Sequence, residues 1–310
     1  MVRIDQGSQT LQSDGLLLIT AVIWGFAFVA QRVGMEHVGP FGFNGVRFAL
    51  GCLVLLPLLC RNGARGVERP SDRAGVFSSS SLGGGLVAGL VLFAGASFQQ
   101  VALVYTTAGN AGFITGLYVV LVPIIGIALG HRTHAGTWTG AALAAVGLYL
   151  LSVVDGFTIS PGDLLVLIGA FFWAGHVHLI GWLSPRYDPL KIAFLQYAAC
   201  AALSLVVSAV VEQNTAGRYL SAAVPILYGG VLSVGVAYTL QVVAQKSAKP
   251  AHAAIILSLE AVFAAIGGWL ILGETLTPRA FAGCVLMLCG MLMSQLWRAP
   301  STTVPVASGS

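Results

Sequence analysis

Ten continuous apolar stretches run along the chain, at about 15–33, 40–60, 82–104, 109–130, 136–154, 163–183, 190–211, 221–244, 251–272 and 279–297. Short segments carrying Pro, Gly or charged residues separate them. A helix rising 1.5 Å per residue needs about 20 apolar residues to cross about 30 Å of hydrocarbon, so each stretch is long enough to span a bilayer. The strands of a transmembrane barrel would instead alternate apolar and polar positions over about ten residues. The pattern predicts an all-α integral membrane protein with ten transmembrane helices. The connection at about 61–81 and the tail at 299–310, rich in Ser, Thr and Pro, have no apolar period and are expected to be poorly ordered. No soluble catalytic domain fits in what remains.

The ten stretches form two sets of five. Shifted by 149 residues, Asp14-Gly-Leu-Leu-Leu-Ile-Thr-Ala-Val-Ile-Trp24 falls on Asp163-Leu-Leu-Val-Leu-Ile-Gly-Ala-Phe-Phe-Trp173, and the Asp and Trp at the ends match. Shifted by 143, Leu129-Gly130, Gly140 and Gly147 fall on Leu272-Gly273, Gly283 and Gly290. Residues 14–154 and 162–297 therefore read as two five-helix repeats between tails 1–13 and 298–310. Five is odd, so the second repeat enters the membrane from the opposite side and the two are inverted. Inverted repeats place a substrate site near mid-depth, between the halves.

Composition narrows the class further. Of 310 residues 57% are hydrophobic and 8% charged, with a mean hydropathy of +0.88, against about 25% charged in soluble domains. The 15 Lys and Arg are scattered and form no basic stripe, which excludes nucleic acid as a partner. Their sidedness sets orientation. Arg3, Arg61, Arg65, Arg69, Arg73, Arg132, Arg186, Lys191, Lys246, Lys249 and Arg298 fall on one side, and only Arg32, Arg218 and Arg279 on the other. Both termini are thus expected in the cytoplasm, the membrane being the inner (plasma) membrane. The five Cys lie within or at the ends of spans and read as small apolar filler.

Several short motifs acquire meaning in this frame. They are Leu272-Gly273-Glu274 closing span nine, Ser258-Leu259-Glu260 midway along it, Gly283 and Gly290 in span ten, and Pro40 with Arg47 in span two. Tyr105-Thr-Thr-Ala-Gly-Asn-Ala-Gly-Phe-Ile-Thr-Gly-Leu-Tyr118 leads to Pro123 in span four. In this order, over residues 14–297, the chain resembles the drug/metabolite transporter superfamily of EamA type. The resemblance implies carriage of amino acids, other metabolites or drugs without a bound cofactor. One departure is His131, which stands where an acidic partner of Glu274 would be expected.

An ionisable group inside a span costs at least about 2.5–3.5 kcal/mol on the insertion scale and needs a cavity or a partner. Arg47, seven residues beyond Pro40, and Glu260, ten beyond Pro250, lead that list. A guanidinium and a carboxylate suit the two ends of a zwitterion; each could instead hold helices together. Asn44 shares the Arg47 face. Gln99, Asn110 and Gln241 are amides at membrane depth, able to bond a ligand or a neighbouring helix, as are Gln100 and the Thr115 hydroxyl. His176 and His178, about 200° apart on a helix, cannot share a metal ion; His176 is the cavity candidate. Trp24 and Trp173 occupy equivalent mid-span positions and could wall a cavity or fill a packing gap, as could Phe113, Tyr118 and Tyr238. Pro123 is expected to interrupt span four.

The expected activity is that of a secondary transporter, an exporter of amino acids or related small molecules, working by alternating access in the lipid bilayer. A single chain with an inverted repeat suffices for this, so a monomer is expected. An integral-membrane enzyme or a multidrug efflux carrier of the same fold are the alternatives. No His-Glu-x-x-His, Cys-x-x-Cys or Gly-x-Ser-x-Gly occurs at membrane depth, which disfavours the enzyme.

Overall fold

The structure, a computed structural model, describes residues 6–64, 79–106, 108–131, 133–152, 161–273 and 277–297. Most of the 61–81 connection, Glu274 and the C-terminal tail lie outside the described residues, as does the side chain of Asn110. The described residues are helical and contain no strand. In chain order the helices are α1 (Gln6–Gly34), α2 (Pro40–Ala64), α3 (Ser79–Tyr105), α4 (Ala108–Gly116), α5 (Tyr118–Ala128), α6 (Ala135–Ser152), α7 (Pro161–Leu183) and α8 (Pro189–Val211). Then come α9 (Ala216–Ser221), α10 (Ala223–Leu227), a π-helical segment (Tyr228–Tyr238), α11 (Thr239–Ala244), α12 (Pro250–Leu257), α13 (Glu260–Leu272) and α14 (Pro278–Leu296). Among the described residues, eight helical stretches are long and apolar enough to cross a membrane. The expected spans 136–154 and 279–297 fall on two shorter apolar helices, Ala135–Leu150 and Pro278–Ser294. Large apolar side chains such as Leu53, Ile124, Phe171 and Trp269 are about half exposed, an outer surface suited to lipid.

Helix starts follow local chemistry. Pro opens α2, α7, α8, α12 and α14, where its missing N–H costs nothing. Asp188 and Thr277 cap α8 and α14 through their side chains. The start of α2 is capped from the end of α8: Phe41 N and Gly42 N donate to the Glu212 carboxylate at 2.8 Å, and Gly39 N to Asn214 Oδ1 at 3.0 Å. Pro123 does not interrupt its span, because α5 continues through it. The break falls earlier, at Leu117.

The packing of the halves comes in matched pairs. The α6 and α14 helices pack on each other, and so do α2 and α8. The pair α3 and α7 is answered by α1 against the π-helical segment and α11, and α1 against α12 and α13 by α7 against α4 and α5. A Cβ on Gly140 would stand 2.7 Å from Gly290 O, and one on Gly147 2.6 Å from Gly283 O, so α6 and α14 run antiparallel with their backbones nearly touching. In lipid, where apolar surface gains nothing by leaving the tails, such close packing of small residues is a main source of helix association.

Candidate functional site

Two matched breaks and one π-helical segment prepare the centre of the bundle. The fourth long stretch of each half is broken at equivalent points, between α4 and α5 at Leu117 and between α12 and α13 at Ser258 and Leu259. Each break tightens to the same short bond, Leu117 N to Ile114 O in one half and Leu259 N to Ile256 O in the other. Broken helices at membrane depth are tolerated where they face a cavity or protein. Between them, the widened turn of Tyr228–Tyr238 brings Ser233 O and Ala237 O to α1, where they accept from Trp24 Nε1 at 3.2 Å and Thr20 Oγ1 at 3.2 Å. Such π segments concentrate at functional sites.

Here the helices line a small, partly open cavity of about 40 Å³. Its wall is built from equivalent positions of the two halves. Helix α1 contributes Trp24, Ala27, Phe28 and Gln31, one face of two turns, and α7 contributes Trp173, His176 and Val177 at the same spacing. Gln99 on α3 pairs with Gln241 on α11, Thr115 with Leu257, and Tyr118 with Glu260, each pair 142 residues apart. The lining is thus nearly two-fold, and the halves differ in chemistry at Glu260 against Tyr118, Thr115 against Leu257 and His176 against Ala27. Arg47, whose equivalent Gln196 does not line the cavity, completes the wall with Ser233 and Tyr238.

Arg47 is 2% exposed. Its Nε donates to Asn44 Oδ1 at 2.9 Å, while Asn44 Nδ2 donates to Ala96 O at 3.1 Å and ties the pair to α3. The guanidinium carbon lies 4.9 Å from the centre of the Phe48 ring, a favourable cation–π placement. Its terminal nitrogens have no hydrogen-bond partner among the described residues. Glu260, 4% exposed, accepts a bond from the Tyr118 hydroxyl at 3.1 Å, and its second oxygen likewise has no such partner. Arg47 and Glu260 do not form an ion pair. The Thr115 hydroxyl and Gln241 Oε1, both buried, are also unpaired. Buried polar groups left without partners cost about 1–3 kcal/mol each, so a polar ligand that meets them gains that energy.

The aromatic wall is held in fixed orientation. Trp173 Nε1 donates to Gln99 Oε1 at 3.0 Å, and Gln99 Nε2 to Gln31 Oε1 at 3.2 Å. Tyr238 stands between the two tryptophans, 4.5 Å from Trp24 and 6.1 Å from Trp173 between ring centres. His176 Nε2 lies 2.8 Å from Gln196 Oε1.

Of the residues singled out from sequence, the cavity brings together Trp24, Arg47, Gln99, Thr115, Tyr118, Trp173, His176, Tyr238, Gln241 and Glu260. Asn44 stands behind Arg47 and orients it. Phe113 does not line the cavity; it packs in an apolar cluster with Phe28, Ala111 and Val262. Gln31 and Ser233 escaped notice, although Gln31 lies two turns beyond Trp24 on one face and could have been found by that spacing.

Apolar helices in two like halves around a buried polar cavity make this a multi-pass membrane protein built to carry a small molecule across the bilayer. The chain belongs to the EamA-like transporter family, whose model matches residues 12–153 and again 160–296. It is a transporter and not an enzyme. An uncharacterized transporter of Archaeoglobus fulgidus is 34% identical over 94% of this chain and 88% of its own length. A probable amino-acid metabolite efflux pump of Escherichia coli is 25% identical over 91% of this chain and 95% of its own. A solved structure, titled only as the crystal structure of a protein, shares the fold with a TM-score of 0.72 at 20% identity, over 94% of this chain and 99% of that one.

Proposed function

We propose that this protein is a secondary transporter that exports amino acids or closely related small zwitterions across the inner membrane by alternating access. The observation that carries the reading is the pair of ionisable side chains of opposite type, Arg47 and Glu260, lining one buried cavity without bonding each other. A bound carboxylate would take the free fork of Arg47, and a bound ammonium the open oxygen of Glu260 with Gln241 Oε1. Thr115 would bond either end. The similarity to a pump named for amino-acid metabolites supports the same class. On this reading the two shorter apolar helices also cross, giving ten spans in two inverted repeats, 14–154 and 162–297, with both termini cytoplasmic and one chain sufficient.

The test is ligand-induced stabilisation of the purified protein, followed by counterflow in liposomes. A ligand at 100 times its Kd adds about 2.7 kcal/mol, so amino acids should raise the unfolding temperature in a saturable way. The matching amines without carboxylate and acids without ammonium should raise it far less. The aromatic wall around Glu260 favours one rival, an organic cation. Stabilisation by amines equal to that by amino acids would establish the rival and overturn the zwitterion reading.

Orientation has its own check. Reporter fusions after Arg73 and Lys191 should report the cytoplasm, and one after Arg218 the outer side. An outer signal after Arg73 would overturn the inverted arrangement.

A further inference from the structure

The two aspartates that matched in the repeat, Asp14 and Asp163, are both buried, at 7% and 6% exposure. Each bonds the other half. His252 Nε2, at the start of α12, lies 2.8 Å from Asp14 Oδ1 on α1, and His252 Nδ1 lies 3.0 Å from Ser294 Oγ near the end of α14. Since a carboxylate only accepts, Nε2–H donates to Asp14. On the other side, Thr106 Oγ1, just beyond α3, donates to Asp163 Oδ1 on α7 at 2.6 Å. The aspartates occupy equivalent positions, Asp163 following Asp14 by 149 residues, and their partners, though not equivalent in register, each flank the start of the fourth long stretch of its half.

These contacts lie at opposite ends of the bundle. The last turns of α1 and α3 are neighbours, because Arg32 Nη1 donates to Leu103 O at 3.4 Å. Thr106 therefore sits at the end of the bundle where α1 finishes, and Asp14 at the end where α1 begins. The cavity wall, from Trp24 to Gln31 on α1, lies between them.

We propose that the two contacts are the latches of the transport cycle. Asp14 with His252 and Ser294 closes one mouth of the cavity, and Asp163 with Thr106 closes the other. Both are made here, and opening either mouth breaks its own latch while the other holds. The proposal rests on the alternating-access reading above but not on the identity of the substrate.

Two effects distinguish a latch from a simple structural bond. Breaking a structural bond loosens the protein at that point. Breaking one latch also shifts the population toward the state open at that mouth, in which the opposite mouth is more tightly closed. Hydrogen exchange on the full chain in lipid nanodiscs, without ligand, reads both ends at once. Asp14→Leu, which keeps the size but offers His252 no acceptor, should speed exchange of the amides at 251–257 about threefold or more and slow those at 162–168, a reciprocal change that follows from the balance between the two open states. Asp163→Leu should do the reverse. His252→Phe, which removes the donor instead, should reproduce Asp14→Leu, and the double variant should add nothing to either. Faster exchange at both ends in each variant, or no change at 251–257 in Asp14→Leu and His252→Phe, would overturn the latches. A wrong substrate class would register only in the ligand screen.

Discussion

Replacing Glu260 by Gln should leave a folded, membrane-inserted protein whose amino-acid exchange falls by about a hundredfold or more. The isostere keeps the shape and still offers Tyr118 an oxygen to donate to, so α5 and α13 stay joined. What it removes is charge. In a buried site, taking away one partner of an ion pair costs about 3–5 kcal/mol, or two to three decades in affinity at 1.4 kcal/mol each. Arg47→Lys should also lose most exchange, because an ammonium offers neither the Nε bond to Asn44 nor a fork for a carboxylate. Liposome uptake and chromatographic monodispersity, measured on the same preparations, decide the matter. Normal uptake by well-folded Glu260→Gln would remove Glu260 from the site. Tyr118→Phe serves as a control, since it deletes the hydrogen bond and keeps the charge, and its loss should be much smaller.

Much of this centre was legible in the chain because the bilayer imposes simple rules. Long apolar runs mark helices, and an Arg or Glu inside such a run stands out where every neighbour is apolar. The repeat was legible through Asp14 and Trp24 against Asp163 and Trp173, and that register carries into the structure, where the tryptophans face one cavity and the aspartates bind opposite ends. What stayed hidden depends on helix rotation and on backbone irregularity. Phe113 and Thr115 are two residues apart, so they point about 200° away from each other, and only the packing of α4 decides that Thr115 turns inward. The π-helical segment Tyr228–Tyr238 reads in sequence as one more apolar run, since nothing in its side chains separates an i→i+4 from an i→i+5 ladder. Likewise Pro123 drew attention as a breaker, yet the discontinuity sits at Leu117, where the matching break at Leu259 has no proline near it. A tertiary demand, two half-helices meeting at Tyr118 and Glu260, overrides the local signal.

The glycines of α6 and α14 carry the largest effect expected on stability. Gly290→Val places a Cβ 2.6 Å from Gly140 O, closer than real Cβ contacts come, and 3.1 Å from Ala144 N, a tight contact, and both obstacles are backbone that no rotamer change can clear. The helices must separate. Separation is not local, because the same pair is held close at Gly147 against Gly283 O and at Gly136 against Trp297 O, each at 2.6 Å for an added Cβ. In water, extra methyl groups would at least bury apolar surface, but lipid tails already solvate them, so lost packing goes uncompensated. Overpacking costs about 1–3 kcal/mol in a soluble core, and a backbone clash spread along a whole helix pair should reach the upper end of that range. Thermal unfolding of the purified variant should begin well below that of the parent, or no monodisperse protein should be recovered. Gly83→Ala is the counterpart: it lies on α3 with nothing within 4 Å of an added Cβ, and Ala is favoured over Gly within a helix by about 1 kcal/mol. It should leave stability unchanged or raise it. A Gly290→Val protein as stable as the parent would show that α6 and α14 can move apart freely, and that their near contact contributes nothing to holding the two halves together.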